Sequence, residues 1–479
     1  MVNPKVALVA LSGTESLNSQ KNGLTVYNET EPLGLLCIAA VAQQAGSEVK
    51  VFHTYQGDNP DEATILAGLA RYSPDIIGFS SLTNNFARSV NLAEKIKKHL
   101  PESVVVFGGD HISANPGELA AIPAIDIGVI GEGEATFKEI LEGKPLGHID
   151  GIVYHEDGSI KVNSPRKRIE DRAGLPFPFR DAEILGKSKV GALMYPQPSR
   201  QTGAASLLFQ LGCPFGCAYC NATAMYGPEL TGTSSDKIIE EMAFLKEKFG
   251  INTAFFTDLT FNLDYKRSEG LCARLAESGL GISWYALIRP TNKGNQAFIR
   301  DSTLEAMASA GCTKVGFGIE SWEPSAMQDY HRPTSLEYDY QVLRKIDSLG
   351  MISKVFIILG HPDETFEYHR QVVESLGWLM PDEVRISFLT PFPGTALWNS
   401  TDKSQLLTKD YSEYTTFNPV IRMRHMSPEE LVRQRRNILH EYYSSAEFNS
   451  HAYGKIKDNP HLQEPFSEFS SVLRNQQII

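Results

Sequence analysis

Short apolar segments alternate with amphipathic segments along two stretches of the chain. In the first stretch, residues 5–140, nearly continuous β-branched runs predict buried strands at 5–11, 48–55, 75–82, 103–109 and 126–134. Helical patterns such as PLGLLCIAAVAQQAG and FARSVNLAEKIKKHL lie between them. This alternation is typical of an α/β fold with a doubly wound parallel sheet, in which helices cover both faces. Ligands of such sheets usually bind in the crevice at the carboxyl ends of the strands.

A second series of strands and helices runs from about residue 205 to residue 398. Its predicted strands read SLLFQ, TAFFTDLT, ISWYALIR, KVGFGIES, KVFIILG and EVRISFLT. Six β/α units are too few to close an eight-stranded (β/α)8 barrel. The pattern therefore predicts an open, partial (β/α)6 barrel.

Two further segments do not follow either series. The stretch that contains GLPFPFRDAEI is rich in proline, glycine and charge, and it predicts a linker with a small hairpin. The stretch MSPEELVRQRRNILHEYY predicts a helix that begins at Ser427, with Pro428 and Glu430 as its first-turn proline and capping-box acid. The predicted regions are an N-terminal sheet domain at 1–145, a linker at 146–200, the partial barrel at 201–400 and a small, mostly helical region at 401–479.

Composition and charge narrow the classes of partner. The chain has 479 residues, of which 42% are hydrophobic and 21% charged, as expected of folded domains. Its net charge of −12 disfavours a nucleic-acid partner, because nucleic-acid binders need an exposed basic face. No apolar run in the sequence approaches the ~20 residues of a membrane span. Six scattered cysteines do not make a disulfide framework, and they indicate a reducing cytoplasm.

Half of the cysteines lie within eight positions, in LGCPFGCAYCNA. Cys213, Cys217 and Cys220 form a C-x3-C-x2-C motif directly after the first predicted barrel strand. A structural zinc site needs four ligands, and the nearest histidines, His155 and His331, are distant in sequence. A disulfide would leave one thiol over. Three thiolates on one loop can instead hold three irons of a [4Fe–4S] cluster and leave the fourth iron open to a chelating ligand.

This motif, with Tyr219 before its third cysteine, resembles the signature of the radical S-adenosylmethionine (SAM) superfamily. The resemblance implies that one electron from the cluster cleaves SAM to methionine and a 5′-deoxyadenosyl radical, which takes hydrogen from a substrate carbon. It also implies SAM contacts at the ends of the later barrel strands. Arg289 suits a carboxylate clamp through its planar fork, and a structural ion pair is the close alternative. The SAM-binding candidates are Tyr219, Thr257, Asp258, Arg289, Glu320, Ser321, Gly360, Leu389 and Thr390.

The N-terminal stretch carries a second set of motifs, SSLT, GGDH and GEGE, at the ends of its predicted strands. They resemble cobalamin-binding domains, in which small residues let the backbone pass the buried nucleotide tail of vitamin B12 and hydroxyls satisfy its polar atoms. The main alternative is another nucleotide-binding domain, but neither a G-x-G-x-x-G after the first strand nor a P-loop is present. The cobalamin-binding candidates are Ser80, Leu82, Thr83, Gly108, Gly109, Asp110, His111, Gly131, Glu132 and Gly133.

One departure from the cobalamin pattern concerns the ligand of cobalt. Many cobalamin domains supply a histidine through an Asp-x-His-x-x-Gly motif, whereas His53 and His111 both lack an aspartate two residues earlier. The long segment 12–32 occupies the place of that motif. We therefore expect cobalamin to bind with its own base displaced and with no protein histidine on cobalt.

Together the motifs resemble the cobalamin-dependent branch of the radical SAM family. The resemblance implies a [4Fe–4S] cluster, SAM and cobalamin as cofactors, a small-molecule substrate, and an electron donor such as flavodoxin or ferredoxin. Methylation of an unactivated carbon is the commonest outcome in that branch and is the expected function. The alternatives are a non-methylating radical reaction (cyclisation, ring contraction or dehydration) and a non-enzymatic sensor. A sensor would have no use for a complete SAM-binding series.

Overall fold

Two separate parallel sheets organise the chain. The computed structural model describes residues 4–11, 31–54, 62–187, 203–291 and 298–479. Both predicted sheets are present within these ranges, and the two sheets differ in strand order. Most of segment 12–32, which replaces the cobalt-histidine motif, lies outside the described residues.

The first sheet has the strand order β2-β1-β3-β4-β5-β6-β7. Its first five strands run parallel and confirm the predicted strands. The fifth is shorter than predicted, because residues after Val129 form a turn in which Gly131 has a φ of 77°. The strands are β1 Lys5–Ala10, β2 Glu48–His53, β3 Ile76–Ser80, β4 Val104–Gly108, β5 Ile127–Val129, β6 Ile152–Glu156 and β7 Ser159–Val162.

The hairpin predicted inside the linker is part of this sheet. Strands β6 and β7 pair antiparallel with each other, and β6 pairs antiparallel with β5. The buried side chains of Ile152 and Val153 explain the placement, since they cover the edge that β5 would otherwise expose. The first sheet therefore extends beyond the predicted boundary at residue 145, to Val162.

Helices cover both faces of the first sheet, as a doubly wound fold requires. Leu35, Ala39 and Phe137 pack on one face, and Leu69 and Leu92 pack on the other. The helices are α1 Leu33–Gln44, α2 Glu62–Tyr72, α3 Phe86–His99, α4 Asp110–Ala114 and α5 Glu134–Leu141.

The second sheet is the predicted partial barrel. Its six strands are all parallel and follow one another in sequence order, so the first and the last remain edges. A short antiparallel pair, β9 and β10, lies between the first two barrel strands in sequence. The strands are β8 Ala205–Leu207, β9 Gln210–Leu211, β10 Thr231–Gly232, β11 Thr253–Phe256, β12 Ser283–Ile288, β13 Cys312–Glu320, β14 Ile352–Leu359 and β15 Glu383–Phe388.

Helices follow the barrel strands, and several begin behind a polar cap. The side chains of Ser234, Asp264, Ser335 and Thr365 each accept the backbone N–H three residues later, which satisfies an orphan donor of the first turn. The helices are α6 Ala182–Lys187, α7 Ala222–Tyr226, α8 Ser235–Phe249, α9 Tyr265–Ser278, α10 Asp301–Ser309, α11 Pro324–Asp329, α12 Leu336–Ser348, α13 Phe366–Leu379 and α14 Ala396–Ser400.

The C-terminal region is helical and packs on the barrel. The predicted helix start is confirmed, since Ser427 and Glu430 form a reciprocal capping box. Buried Asp382 accepts hydrogen bonds from Lys455 at 2.5 Å and His451 at 3.0 Å, so it ties the region to the barrel. The helices are α15 Pro428–Ser444, α16 Ala446–Asp458 and α17 Gln463–Asn475. No helix in the described ranges has the length and hydropathy needed to cross a bilayer.

Candidate functional site

The candidate site that joins the two sheets is a cavity of about 450 Å³ between the first sheet and the barrel. Its walls come from the carboxyl ends of strands in both sheets, the position expected of α/β ligand sites. Predicted cobalamin-binding residues line the first-domain side: Ser80, Leu82, Gly108, Gly109, Asp110, Gly131, Glu132 and Gly133. The barrel side is lined by Leu208, Leu211, Met225, Tyr226, Thr257 and Leu259.

Glycine at the end of β4 is required by the geometry of this wall. Gly109 has a φ of 99°, and a Cβ atom there would lie 2.7 Å from the carbonyl oxygen of Ser81. The Ser81 N–H donates to Gly108 O at 2.8 Å, which holds the two strand ends together. The resulting wall is bare backbone, which fits a group that must pass close to the strand ends.

Two predicted cobalamin contacts, Thr83 and His111, are not among the described residues that line the cavity. His111 is fully buried behind the strand ends. Its Nδ1 is 3.2 Å from Thr83 Oγ1, and its Nε2 is 2.9 Å from Glu118 Oε2. Both ring nitrogens are therefore engaged by the protein itself. The sequence motif could not reveal this, because Glu118 lies in a neighbouring turn.

The engagement of His111 leads to a spectroscopic prediction. The cobalt(II) spectrum of the protein with cobalamin bound should show no nitrogen splitting, and His111→Gln should leave it unchanged. The measurement is electron paramagnetic resonance of the cobalamin-loaded protein after mild reduction. Nitrogen splitting that disappears in His111→Gln would mean that His111 rotates out to ligate cobalt.

The acidic residues of this wall have separate partners. Glu132 accepts Arg172 Nη1 at 2.7 Å and the Ile169 N–H at 2.9 Å, so its charge is paired. Asp110 accepts the side-chain amide of Asn221 at 3.3 Å, and burial raises the pKa of its carboxyl. Asn221 directly follows Cys220, so this bond joins the cysteine motif to the Gly-Gly strand end.

The cysteine loop is held by backbone hydrogen bonds on both sides. The Cys213 N–H donates to Gly227 O at 3.0 Å, and the Ala218 N–H donates to Tyr330 O at 2.9 Å. Gly212 has a φ of 111°, and a Cβ there would lie 2.1 Å from Glu229 O. The loop therefore enters the cysteine motif through a turn that accommodates glycine alone.

All three thiols are free. Burial raises the pKa of Cys213, so this thiol is neutral near pH 7 and would release its proton on binding iron. In the described part of the chain, no three His, Cys, Asp or Glu side chains are arranged to hold a single metal ion. A [4Fe–4S] cluster does not require such convergence, since each thiolate binds a different iron. The thiolate donor set fits the cluster.

Arg289, at the end of β12, lies against the cysteine loop. Its Nη1 is 3.5 Å from Cys217 Sγ, and its guanidinium stacks 3.8 Å from the ring centre of Phe215. Its Nε donates to Thr291 O at 2.8 Å, whereas its buried Nη2 has no hydrogen-bond partner in the described chain. Burial, followed by repulsion from Arg332, lowers the pKa of Arg289. The open Nη2 suits the predicted carboxylate clamp, and the other nitrogens face the protein.

The second barrel strand supplies Thr257 and Asp258, which have different environments. Thr257 lines the cavity and donates through its hydroxyl to Leu207 O at 3.0 Å. Asp258 is buried and accepts the N–H groups of Phe209 and Gln210 at 2.8 and 2.9 Å. Burial raises the pKa of Asp258 to about 7, although the two hydrogen bonds from the backbone lower it. Its carboxylate thus holds the backbone that leads into the cysteine loop.

The remaining SAM candidates lie at the ends of β13, β14 and β15. Glu320 has a φ of 68°, a strained value for a glutamate, at a register shift between β13 and β14. The Ser321 hydroxyl is 2.8 Å from Tyr368 OH, and Gly360 has a φ of 98°. The Leu389 N–H donates to Leu359 O, and the Thr390 hydroxyl donates to Phe388 O. The Tyr219 ring packs against the Tyr330 ring.

Several residues of this region belong to no sequence motif and were not predicted. Arg332 pairs with Glu320 at 3.4 Å and lies near Cys217, although it comes from the segment between α11 and α12. Tyr226 and Met225 line the cavity from the short helix after the cysteine loop. Their positions follow from the path of the loop, and no motif marks them.

Comparisons with known proteins agree with this architecture. Residues 20–141 match the family model described as B12 binding domain, and residues 207–376 match that of the Radical SAM superfamily. An uncharacterized methyltransferase of Pyrococcus horikoshii is 30% identical over 445 residues, 91% of this chain and 92% of the relative. The hopanoid C-3 methylase of Methylococcus capsulatus is 27% identical over 85% of this chain and 76% of its own length.

A solved structure has the same fold. The radical S-adenosylmethionine methyltransferase TsrM from Kitasatospora setae, with cobalamin and a [4Fe–4S] cluster bound, superposes with a TM-score of 0.67. The match has 17% identity and covers 92% of this chain and 89% of that one. Each of the two sheet domains matches one family model, and the Pyrococcus relative aligns over nearly the whole chain. The chain belongs to the family of cobalamin (B12)-dependent radical SAM enzymes.

Proposed function

We propose that this protein methylates an unactivated carbon of a small metabolite or natural-product precursor. The cofactors of its family are a [4Fe–4S] cluster, SAM and cobalamin. When bound, the cluster supplies the electron that cleaves one SAM to a 5′-deoxyadenosyl radical, and cobalamin carries a methyl group provided by a second SAM. The chain's part is to bind these groups, to orient them and to exclude water.

The observation that carries this proposal is the contact between the two cofactor-binding segments. Asn221, next to Cys220, donates to Asp110, next to Gly109, at 3.3 Å. Asp110 and Tyr226, one from each domain, line the same cavity. A substrate carbon in this region can be reached from the barrel side and from the first domain, as hydrogen removal and methyl donation at one carbon both require.

The residue roles follow from these positions. Cys213, Cys217 and Cys220 hold the cluster, and the strand ends around Gly109 and Gly131 receive cobalamin. Arg289, Glu320 and the other strand-end residues of the barrel surround SAM. The electron comes from a protein such as flavodoxin or ferredoxin, in a reducing cytoplasm that suits six free thiols, all within the described ranges.

The names of the relatives favour methylation over other radical chemistry. The Pyrococcus relative, the Methylococcus relative and the Kitasatospora structure are each named as a methyltransferase or methylase. In the proposed reaction a substrate C–H bond becomes a C–CH3 bond. Two SAM and two electrons are consumed, and the substrate hydrogen leaves in 5′-deoxyadenosine. Methionine and S-adenosylhomocysteine are the other products, so atoms and charge balance.

The proposal is tested by feeding methionine with a trideuterated methyl group to cells that make the protein. Cells with the wild-type protein should contain a compound with one trideuteriomethyl group that is absent from cells with Cys217→Ala. Mass spectrometry of the small-molecule fraction detects it. A compound that depends on the wild-type protein but carries no labelled methyl would favour a non-methylating radical reaction.

A further inference from the structure

One guanidinium contacts a cluster cysteine and a second lies nearby. Arg289 Nη1 lies 3.5 Å from Cys217 Sγ, and the charge of Arg332 is close enough to interact with the Cys217 thiol. Arg289 is 3% exposed, and the side chain of Arg332 is 10% exposed. We propose that Arg289 and Arg332 are positioning residues that raise the reduction potential of the cluster bound through Cys217.

The two arginines are held in place independently of the thiol. Arg289 stacks on Phe215 and donates to Thr291 O at 2.8 Å. Arg332 donates through Nη2 to Gly318 O at 2.6 Å and pairs with Glu320 at 3.4 Å. Because these contacts fix both guanidiniums, their charges stay beside Cys217 when its thiolate binds iron.

Cys217 differs in this respect from the other two cysteines. The sulfur of Cys220 accepts the backbone N–H of Ala222 at 3.4 Å, and no arginine side chain donates to Cys213 or Cys220 within the described chain. Backbone donors are neutral, whereas a guanidinium brings a full positive charge as well as an N–H group. Hydrogen bonds to sulfur and nearby positive charge both stabilise the added electron of a reduced cluster.

The redox step itself is a transfer of one electron. A low-potential reductant of the flavodoxin or ferredoxin class is oxidised by one electron, the cluster is reduced by one, and no covalent bond forms. A higher potential of the cluster favours this transfer and makes the reduced cluster a weaker reductant toward SAM. The inference requires a cluster at Cys217 and is independent of which carbon is methylated.

The test is a redox titration of the anaerobically reconstituted protein without SAM, monitored by electron paramagnetic resonance. At a fixed solution potential, Arg332→Gln should lower the ratio of reduced to oxidised cluster about tenfold, a shift of about 59 mV for one electron. Arg289→Gln should shift the potential in the same direction. Arg332→Lys keeps the charge and should retain most of the wild-type potential.

The matched control is Arg344→Gln on α12. Arg344 pairs with Asp347 at 4.0 Å and stacks on Tyr340, so its loss should leave the potential unchanged. A wild-type potential in both Arg332→Gln and Arg289→Gln would overturn the inference. If Arg332→Gln lost its iron, Arg289→Gln and Arg332→Lys would still decide the question. The titration involves no substrate turnover, so its outcome is independent of whether the protein methylates a substrate.

Discussion

Replacing Cys213, Cys217 or Cys220 with alanine is expected to remove most of the bound iron and to abolish cleavage of SAM. Each thiolate binds a different iron of the cluster, so the loss of one breaks a bond that the loop has no fourth cysteine to replace. The measurement is iron and sulfide content after anaerobic reconstitution, followed by assay of 5′-deoxyadenosine with a chemical reductant.

The other three cysteines provide the matched controls. Cys272 and Cys312 are buried in the barrel core, and Cys37 lies half-buried on α1 at the cavity wall. Alanine at any of them should leave the iron content near that of the wild type. Full cluster loading in the variant with Cys213, Cys217 and Cys220 all changed to alanine would contradict the assignment of the loop.

Gly109→Ala is expected to weaken cobalamin binding at least about tenfold while the cluster is retained. The added Cβ would lie 2.7 Å from Ser81 O, so the end of β4 must move at the cavity wall. A φ of 99° also strains any residue with a side chain, at a cost of about 1–2 kcal/mol. The measurement is the cobalamin absorbance that remains after desalting, with iron content determined on the same sample.

Gly143→Ala is the control variant, because it strains the backbone without placing an atom at the cavity wall. Gly143 has a φ of 71°, follows α5 outside the cavity, and has open space where its Cβ would be. This variant should lose stability through backbone strain alone and bind cobalamin like the wild type. Equal cobalamin retention in Gly109→Ala and the wild-type protein would rule out the Gly-Gly strand end as a cobalamin contact.

The strands of both sheets were predictable because their apolar runs are nearly continuous, as burial on both faces demands. The position of the hairpin was not predictable in this way. Ile152 and Val153 lie on β6, and the pairing of this strand with the edge of β5 is visible only in the structure. The structure therefore extends the first sheet beyond the predicted boundary at residue 145.

Motifs at strand ends point to part of the candidate site. Gly109 and Thr257 line one cavity, whereas His111 and Asp258 bond to protein groups, and none of the three motif cysteines is among the described residues that line that cavity. Side-chain direction at a strand end depends on local register, as at the shift before Glu320. Arg332 pairs with Glu320 and lies near Cys217 from a loop with no motif, so its position could be found in three dimensions alone.

In the proposed reaction one carbon loses a hydrogen atom to the 5′-deoxyadenosyl radical and then receives the methyl group. The most direct measurement is the ratio of two products formed by the reconstituted protein with cobalamin, SAM, reductant and the small-molecule fraction of a cell extract. A methylase consumes one SAM for the radical and another for the methyl. We expect nearly equal extract-dependent amounts of 5′-deoxyadenosine and S-adenosylhomocysteine, together with a methylated product. Deoxyadenosine that accumulates with little homocysteine product, beside an unmethylated product, would contradict this expectation.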